Sequence, residues 1–469
     1  MFNNAKNYFV SNIFVKALGI ISIPITTRYL LPSDFGNVSL FAVYVSVATI
    51  ILPLNSHASI GRYYFEKNAN LEKFVSTTVW LSLAFSILIS VVFFAFILPF
   101  LNRDEYEIWF YILIISNAFA NIATSIFIQI HEPANNSLLI AKRSITTGLV
   151  QFILNLLFVI FSPSPKWEYV IFGTTITSIV VNIYFFKFIK KYIKCHFEFV
   201  YIKYILKFSI PLLPYALSGI ILSQIDRIMI NENSNSSETG IYSLAVALAM
   251  LVVFVGDSIN RAWMPEYFKH MDNKNYIIHD IEVMKNLRYW TLLSSSFIFL
   301  FLEPAKLLIG TKYQSSLDLV PMVIFGYLFE FYFTIYGRNI GYSKKTIYSS
   351  IILITSGFIN VILNHFTLNK YGFKIASINT LFSYFSLFIF AYLVNKFLIK
   401  LHSFPLFKLI PSFLTLLMCV SFFYFFKTLD LNIFLSFFIK SIILVIFSYI
   451  FYYEEVKNIF IKISSLVLK

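Results

Sequence analysis

Ile23-Pro24-Ile25-Thr26-Thr27-Arg28-Tyr29-Leu30-Leu31-Pro32-Ser33-Asp34-Phe35-Gly36 reads as a turn between two helices at a membrane surface. An apolar run from Phe9 ends at Thr27, and Arg28 supplies a charge where the run stops. Asp34 and Gly36 open the next spanning helix on the outer side. A second apolar run, Val38–Ile60, follows at once.

Working outward, runs of this kind fill the chain. Hydrophobic residues make up 58% of 469, charged residues 13%, and mean hydropathy is +0.76. A soluble domain carries about a quarter charged residues to solvate its surface, so most of this surface faces lipid. With about twenty apolar residues needed per crossing, the further spans are Thr77–Leu101, Tyr106–Ile130, Ser144–Phe161 and Tyr169–Phe186. After a basic break come Phe208–Ile230, Ile241–Asn260, Trp290–Ile309, Asp318–Tyr336, Ile347–Asn364, Ile375–Asn395, Leu409–Phe426 and Leu431–Tyr452. The expectation is an all-α polytopic membrane protein of twelve to fourteen helices, with the first run, which contains Lys16, retained as a span rather than cleaved as a signal peptide.

Loop charge orients the bundle. With the amino terminus inside, about 26 of the 37 Lys and Arg residues fall on cytoplasmic segments and about 8 outside, the bias of the positive-inside rule. Both termini are expected in the cytoplasm. The net charge of +14 is then orientation signal, which argues against nucleic acid as a partner. The longest connections, 187–207 and 261–289, are cytoplasmic; the second mixes apolar and charged residues as an interfacial helix does.

A pattern recurs between the halves. Asp34-Phe35-Gly36-Asn37-Val38-Ser39-Leu40 and Glu238-Thr239-Gly240-Ile241-Tyr242-Ser243-Leu244 share acidic-x-Gly-x-x-Ser-Leu, with Arg28 and Arg227 before them. Six spans separate the copies, so the repeat is parallel. The domain expectation is a lobe over 1–190, a second over 191–400 after the basic segment, and a terminal pair in 401–469. Pro24, Pro211 and Pro214 lie in the first helix of each lobe and are hinge candidates, since proline removes a backbone donor.

No GxxxxGK[ST] nucleotide signature occurs, and the seven histidines are scattered without a metal-binding spacing, so no cofactor and no metal are expected, and an enzyme reading is disfavoured by the short outer loops. The candidates that remain are ionisable residues within spans, costly in hydrocarbon and functional by default. Lys16, Arg28, Arg62 and Arg227 are candidates for a cationic, anion-binding cavity. Glu330, Asp226 and Lys440 are candidates for coupling, with helix termination as the alternative for Asp226 and snorkelling for Lys440.

The opening stretch resembles the start of the polysaccharide transporter family, the Wzx-type O-antigen flippases. Ser209-Ile210-Pro211-Leu212-Leu213-Pro214, Asp226-Arg227, Gly240-Ile241-Tyr242-Ser243-Leu244 and Ala262-Trp263-Met264-Pro265 resemble further motifs of that family in order. The resemblance implies the MATE-like MOP exporter superfamily, two six-helix lobes in a V shape plus a terminal pair. It also implies a flippase for undecaprenyl-diphosphate-linked oligosaccharide, an O-antigen or capsule unit, in a bacterial inner membrane, acting beside a polysaccharide polymerase and chain-length machinery in lipopolysaccharide biosynthesis. Lys16, Arg28 and Arg62 match the family's diphosphate-binding cations by location. A cation-coupled multidrug exporter and a membrane glycosyltransferase or polysaccharide polymerase are the competing readings.

Overall fold

The computed structural model describes residues 2–66, 70–100, 106–194, 196–429, 432, 434–447 and 449. Lys67, Arg103, Cys195 and the expected cytoplasmic tail after the last span lie outside the described residues, as does the end of that span. Among the described residues there is no strand.

In chain order the helices are α1 Phe2–Tyr29, α2 Pro32–Ile51, α3 Ala58–Tyr63, α4 Leu71–Val92, α5 Ile108–His131, α6 Ser137–Phe161, α7 Lys166–Phe185 and α8 Phe199–Asn233. Next come α9 Ser236–Asp272, α10 Tyr276–Ser296, α11 Leu302–Leu308, α12 Val320–Tyr342, α13 Ile347–Tyr371, α14 Ile375–Val394, α15 Ile410–Thr428 and α16 Phe434–Phe447. Among the described residues, thirteen segments are long and apolar enough to cross a bilayer, and α16 is a shorter apolar helix. Backbone groups in lipid have no water to bond, so helices that satisfy their own ladders are the natural result. Interior Ser and Thr are satisfied the same way. Thr78 donates to the Phe74 carbonyl at 2.9 Å and Ser82 to that of Thr78 at 2.7 Å.

The chain forms two compact units, Met1–Ile225 and Asp226–Lys469. In the first, α1 lies along α6, and α5 and α7 pack on α2. Phe74, Phe127 and Ile205 are among its fully buried residues. Tyr63 stacks on Phe74 at 3.7 Å, with Tyr201 and Tyr204 edge-on around them. The basic 187–207 segment belongs to this unit. Lys194 pairs with Glu72 at 2.5 Å and Lys73 with Glu198 at 2.8 Å.

In the second unit, α12 is the most enclosed of the spans and runs against α9 and α14. Gly326 permits the α12–α14 approach: a Cβ there would stand 3.2 Å from the Leu381 backbone. The hydroxyl of Tyr336 donates to the Phe404 carbonyl at 2.9 Å, tying α12 to the chain before α15.

Two sequence expectations change. Residues 261–289 hold no separate interfacial helix, because α9 continues to Asp272 and α10 starts at Tyr276. The helices simply outrun the hydrocarbon. Arg143 and Arg338, two of the basic residues assigned by sequence to the cytoplasmic segments, lie inside α6 and α12 and are buried. Arg143 donates to Thr124 at 2.7 Å and Asn182 at 2.8 Å, over the Phe127 ring. Arg338 donates to Asn260 at 2.7 Å and lies 4.2 Å over Trp263. Both arginines find aromatic and amide partners that a hydropathy window does not see.

Candidate intramembrane site

The second unit gathers four of the sequence candidates. Asp226 stands seven residues before the end of α8, which rules out the helix-terminus reading. Its carboxylate is buried and fully engaged. Oδ2 accepts the hydroxyls of Tyr242 at 2.7 Å and Thr380 at 2.8 Å, and Oδ1 accepts the Asn364 amide at 2.5 Å. Asn364 in turn accepts from Asn379 at 2.8 Å and donates to Asn360 at 2.9 Å. Three donors on one carboxylate stabilise its charge, and they come from α9, α13 and α14. The geometry is that of a tether between helices.

Glu330 is different. It sits on α12, partly buried, and makes no hydrogen bond or ion pair among the described residues. Its electrostatic neighbour is Asp257 of α9. The paired rings of Tyr327 and Tyr384, 5.6 Å apart, feel its charge, and Tyr327 also feels those of Asp226 and Arg227. One region thus holds an engaged carboxylate, a partly buried arginine and a carboxylate with no counter-ion.

Lys440 does not snorkel. Its side chain is 2% exposed and ion-paired to Glu303 of α11, itself 2% exposed. Ser436 adds a hydrogen bond to Glu303 at 2.9 Å, and Lys306 approaches its other oxygen at 2.9 Å. Glu303 was missed in the sequence, although an acidic residue inside the span Trp290–Ile309 was signal enough.

The cationic candidates of the first unit are strung along the membrane depth. Lys16 is exposed at mid-α1, and Arg28 is exposed in the last turn, about 18 Å further along the axis at 1.5 Å per residue. Arg62 lies in α3, past the whole length of α2, and pairs weakly with Glu66 at 3.7 Å. Beside it, burial and the Tyr201 hydroxyl push the Tyr63 phenol up to about 12, so it stays neutral. Pro24 lies within α1, and Pro211 and Pro214 within α8; both helices continue through them. Ser218 donates to the Pro214 carbonyl at 2.5 Å, one turn further along the helix.

The repeat holds at the second helix of each set. Asp34 Oδ2 accepts the Leu31 N–H at 3.1 Å at the start of α2. Asn235 accepts the Glu238 N–H at 2.9 Å at the start of α9. The arginines are offset: Arg28 is next to the end of α1, whereas α8 runs six residues past Arg227.

His279, Asp280 and His402 bring three potential metal-ligand atoms within 4.8 Å of one another. Lys408, 3.2 Å from Asp280 Oδ2, already supplies the positive charge there. A divalent cation would face that ammonium, so the grouping fits an ion-pair knot better than a metal centre.

Residues 2–271 match the polysaccharide biosynthesis protein family. The chain belongs to that family. A protein of the Lsg locus of Haemophilus influenzae is 24% identical over 398 residues, covering 76% of this chain and 90% of the relative. Among solved structures, the lipid II flippase MurJ in an inward closed conformation superposes with a TM-score of 0.73 at 15% identity, covering 96% of this chain and 99% of that one. An inward-facing multidrug resistance MATE family transporter of the MOP superfamily gives 0.57 at 15% identity, covering 82% and 94%. The fold is therefore the one these flippase and exporter structures share. The family match includes Lys16, Arg28, Arg62, Asp226 and Arg227; Glu303, Glu330 and Lys440 lie beyond it.

Proposed function

We propose that this protein flips an undecaprenyl-diphosphate-linked oligosaccharide, an O-antigen or capsule repeat unit, from the cytoplasmic to the outer leaflet of a bacterial inner membrane. The family match over residues 2–271 carries this reading. Arg28, Arg62 and Arg227 with Lys16 supply the substrate's diphosphate with cations, Arg through paired donors and Lys as a point charge. The polyprenyl tail stays in lipid, which avoids drawing sugar and phosphate through hydrocarbon unsolvated. Alternating access moves the head group, with Pro24, Pro211 and Pro214 as bending points. Glu330, lacking a counter-ion, is the residue to carry a coupling proton. Both termini lie in the cytoplasm, and the flipped unit feeds an outer-face polymerase and its chain-length partners.

The Glu330–Asp257 pair favours one second reading, a cation-coupled drug exporter of the same superfamily. Proteoliposomes separate the two. With labelled lipid-linked oligosaccharide, wild type should expose label to the opposite leaflet; Arg28→Glu should fall to the protein-free rate while remaining inserted, and Glu330→Gln should lose only the stimulation by a proton gradient. Normal flipping by Arg28→Glu removes Arg28 from the site. Gradient-driven uptake of an organic cation, with no movement of the oligosaccharide, establishes the exporter instead.

A further inference from the structure

Where α5 turns into α6, the first unit carries an open cleft of about 550 Å³ that none of the residues discussed for transport lines. The turn is set by Asn135, whose φ of 58° lies in the left-handed region that Asn tolerates. It delivers the amino-terminal end of the 25-residue helix α6 to the cleft floor. Asn136 occupies the cap position, yet its side chain makes no bond to the first-turn amides. Its Nδ2 lies instead 3.3 Å from His131 Nδ1.

His131 is the decisive group. It is 5% exposed, borders the cleft, and its Nε2 closes no hydrogen bond although the Phe188 backbone is close by. That ring nitrogen keeps the capacity for one more hydrogen bond. Around it stand Lys142, Lys187 and Lys191, all exposed and none in an ion pair among the described residues. Of the nearby carboxylates, Glu72 feels the charge of Lys191. Glu72 is held by Lys194 at 2.5 Å, and Glu132 is exposed just outside the lining.

Three lysines, an uncapped helix start, Ser137 and His131 border one volume. Helix amino termini favour phosphate through both their N–H groups and their dipole, and lysine adds charge without demanding geometry. Leu138, 56% exposed at the rim, offers an apolar shoulder beside the charged floor. That combination suits a phosphate whose other end is hydrocarbon. We propose that this cleft binds the phosphate of an anionic phospholipid in the leaflet at the lysine-rich end, independently of the transport reading. Basic pockets between transmembrane helices recognise lipid head groups in this way.

The test uses the full-length protein, delipidated in neutral detergent. Retention of phosphatidylglycerol is compared with that of phosphatidylcholine by native mass spectrometry, with inorganic phosphate as competitor. Wild type should retain phosphatidylglycerol in preference. K142Q/K187Q/K191Q should lose roughly a hundredfold in affinity, at about fivefold for each lysine, with an unchanged unfolding temperature. If the triple variant does not fold, Lys187→Gln alone should lose about fivefold. Competition by millimolar phosphate identifies the phosphate itself as the recognised group. Failure of phosphate to compete while phosphatidylglycerol binds identifies the intact lipid head group; both results support the site. Equal retention of the two lipids by wild type, or undiminished phosphatidylglycerol binding by a folded variant, overturns it.

Discussion

At the residue scale, the charges inside this bundle sort by whether they are already answered. Asp226, Arg143 and Arg338 each have hydrogen-bond partners, and removing any of them strands buried donors or acceptors. Glu303 and Lys440 answer one another. A buried pair is weak evidence of net stabilisation, but breaking it leaves one uncompensated charge. Glu303→Gln, which strands the buried Lys440, should therefore lower stability by about 3 kcal/mol; Lys440→Met should cost less, because Lys306 still faces Glu303, and the double variant should recover about 1 kcal/mol or more of the summed loss. Unfolding in detergent across the four proteins measures this; strict additivity would mean that the two side chains do not meet. Glu330 makes no hydrogen bond or ion pair among the described residues, which is why the proposed coupling role is placed on it.

At the element scale, what matters is how closely helices can approach when lipid supplies no hydrophobic drive between them. Packing and small residues then decide association. Gly326 is the clearest case, since the Leu381 backbone faces it and cannot rotate away as a side chain can. Gly326→Val should part α12 from α14 and cost roughly 1–3 kcal/mol, read as a lower unfolding temperature. Gly219, with open space where a Cβ would stand, provides the control: Gly219→Ala should leave the temperature unchanged or raise it. Helix length belongs to this scale too. α9 and α10 extend past their apolar runs because Trp263, Tyr267 and His279 pack on one another beyond the apolar core, contacts that only folding creates.

At the scale of the whole molecule, orientation rests on lysine and arginine asymmetry, and the parallel repeat requires the starts of α2 and α9 to share a side. In a protein with Cys195→Ser and Cys419→Ala, a cysteine at Ser33 or Ser234 should react with an impermeant maleimide in intact cells. Cysteines at Lys274 or Lys344 should react only after permeabilisation. Labelling of Ser33 and Ser234 variants from opposite sides would contradict the repeat and with it the helix count between the copies.

The sequence alone determined that the chain crosses the membrane many times, where most spans lie, and that its two second helices begin alike. Those are local properties: hydrocarbon thickness fixes span length, and proline, acidic residues and glycine mark helix starts. It also yielded the ionisable residues worth watching, because any charge in an apolar run stands out. Only the tertiary structure decided which of those charges are satisfied. Asp226 meets partners 16, 138 and 154 residues away, Lys440 meets Glu303 across 137, and the His131 cleft assembles from α1, the α5–α6 turn and the segment after α7. The free energy of a buried charge depends on the groups within a few ångströms of it. No single span contains those groups, so the fold had to bring them together before their roles were legible.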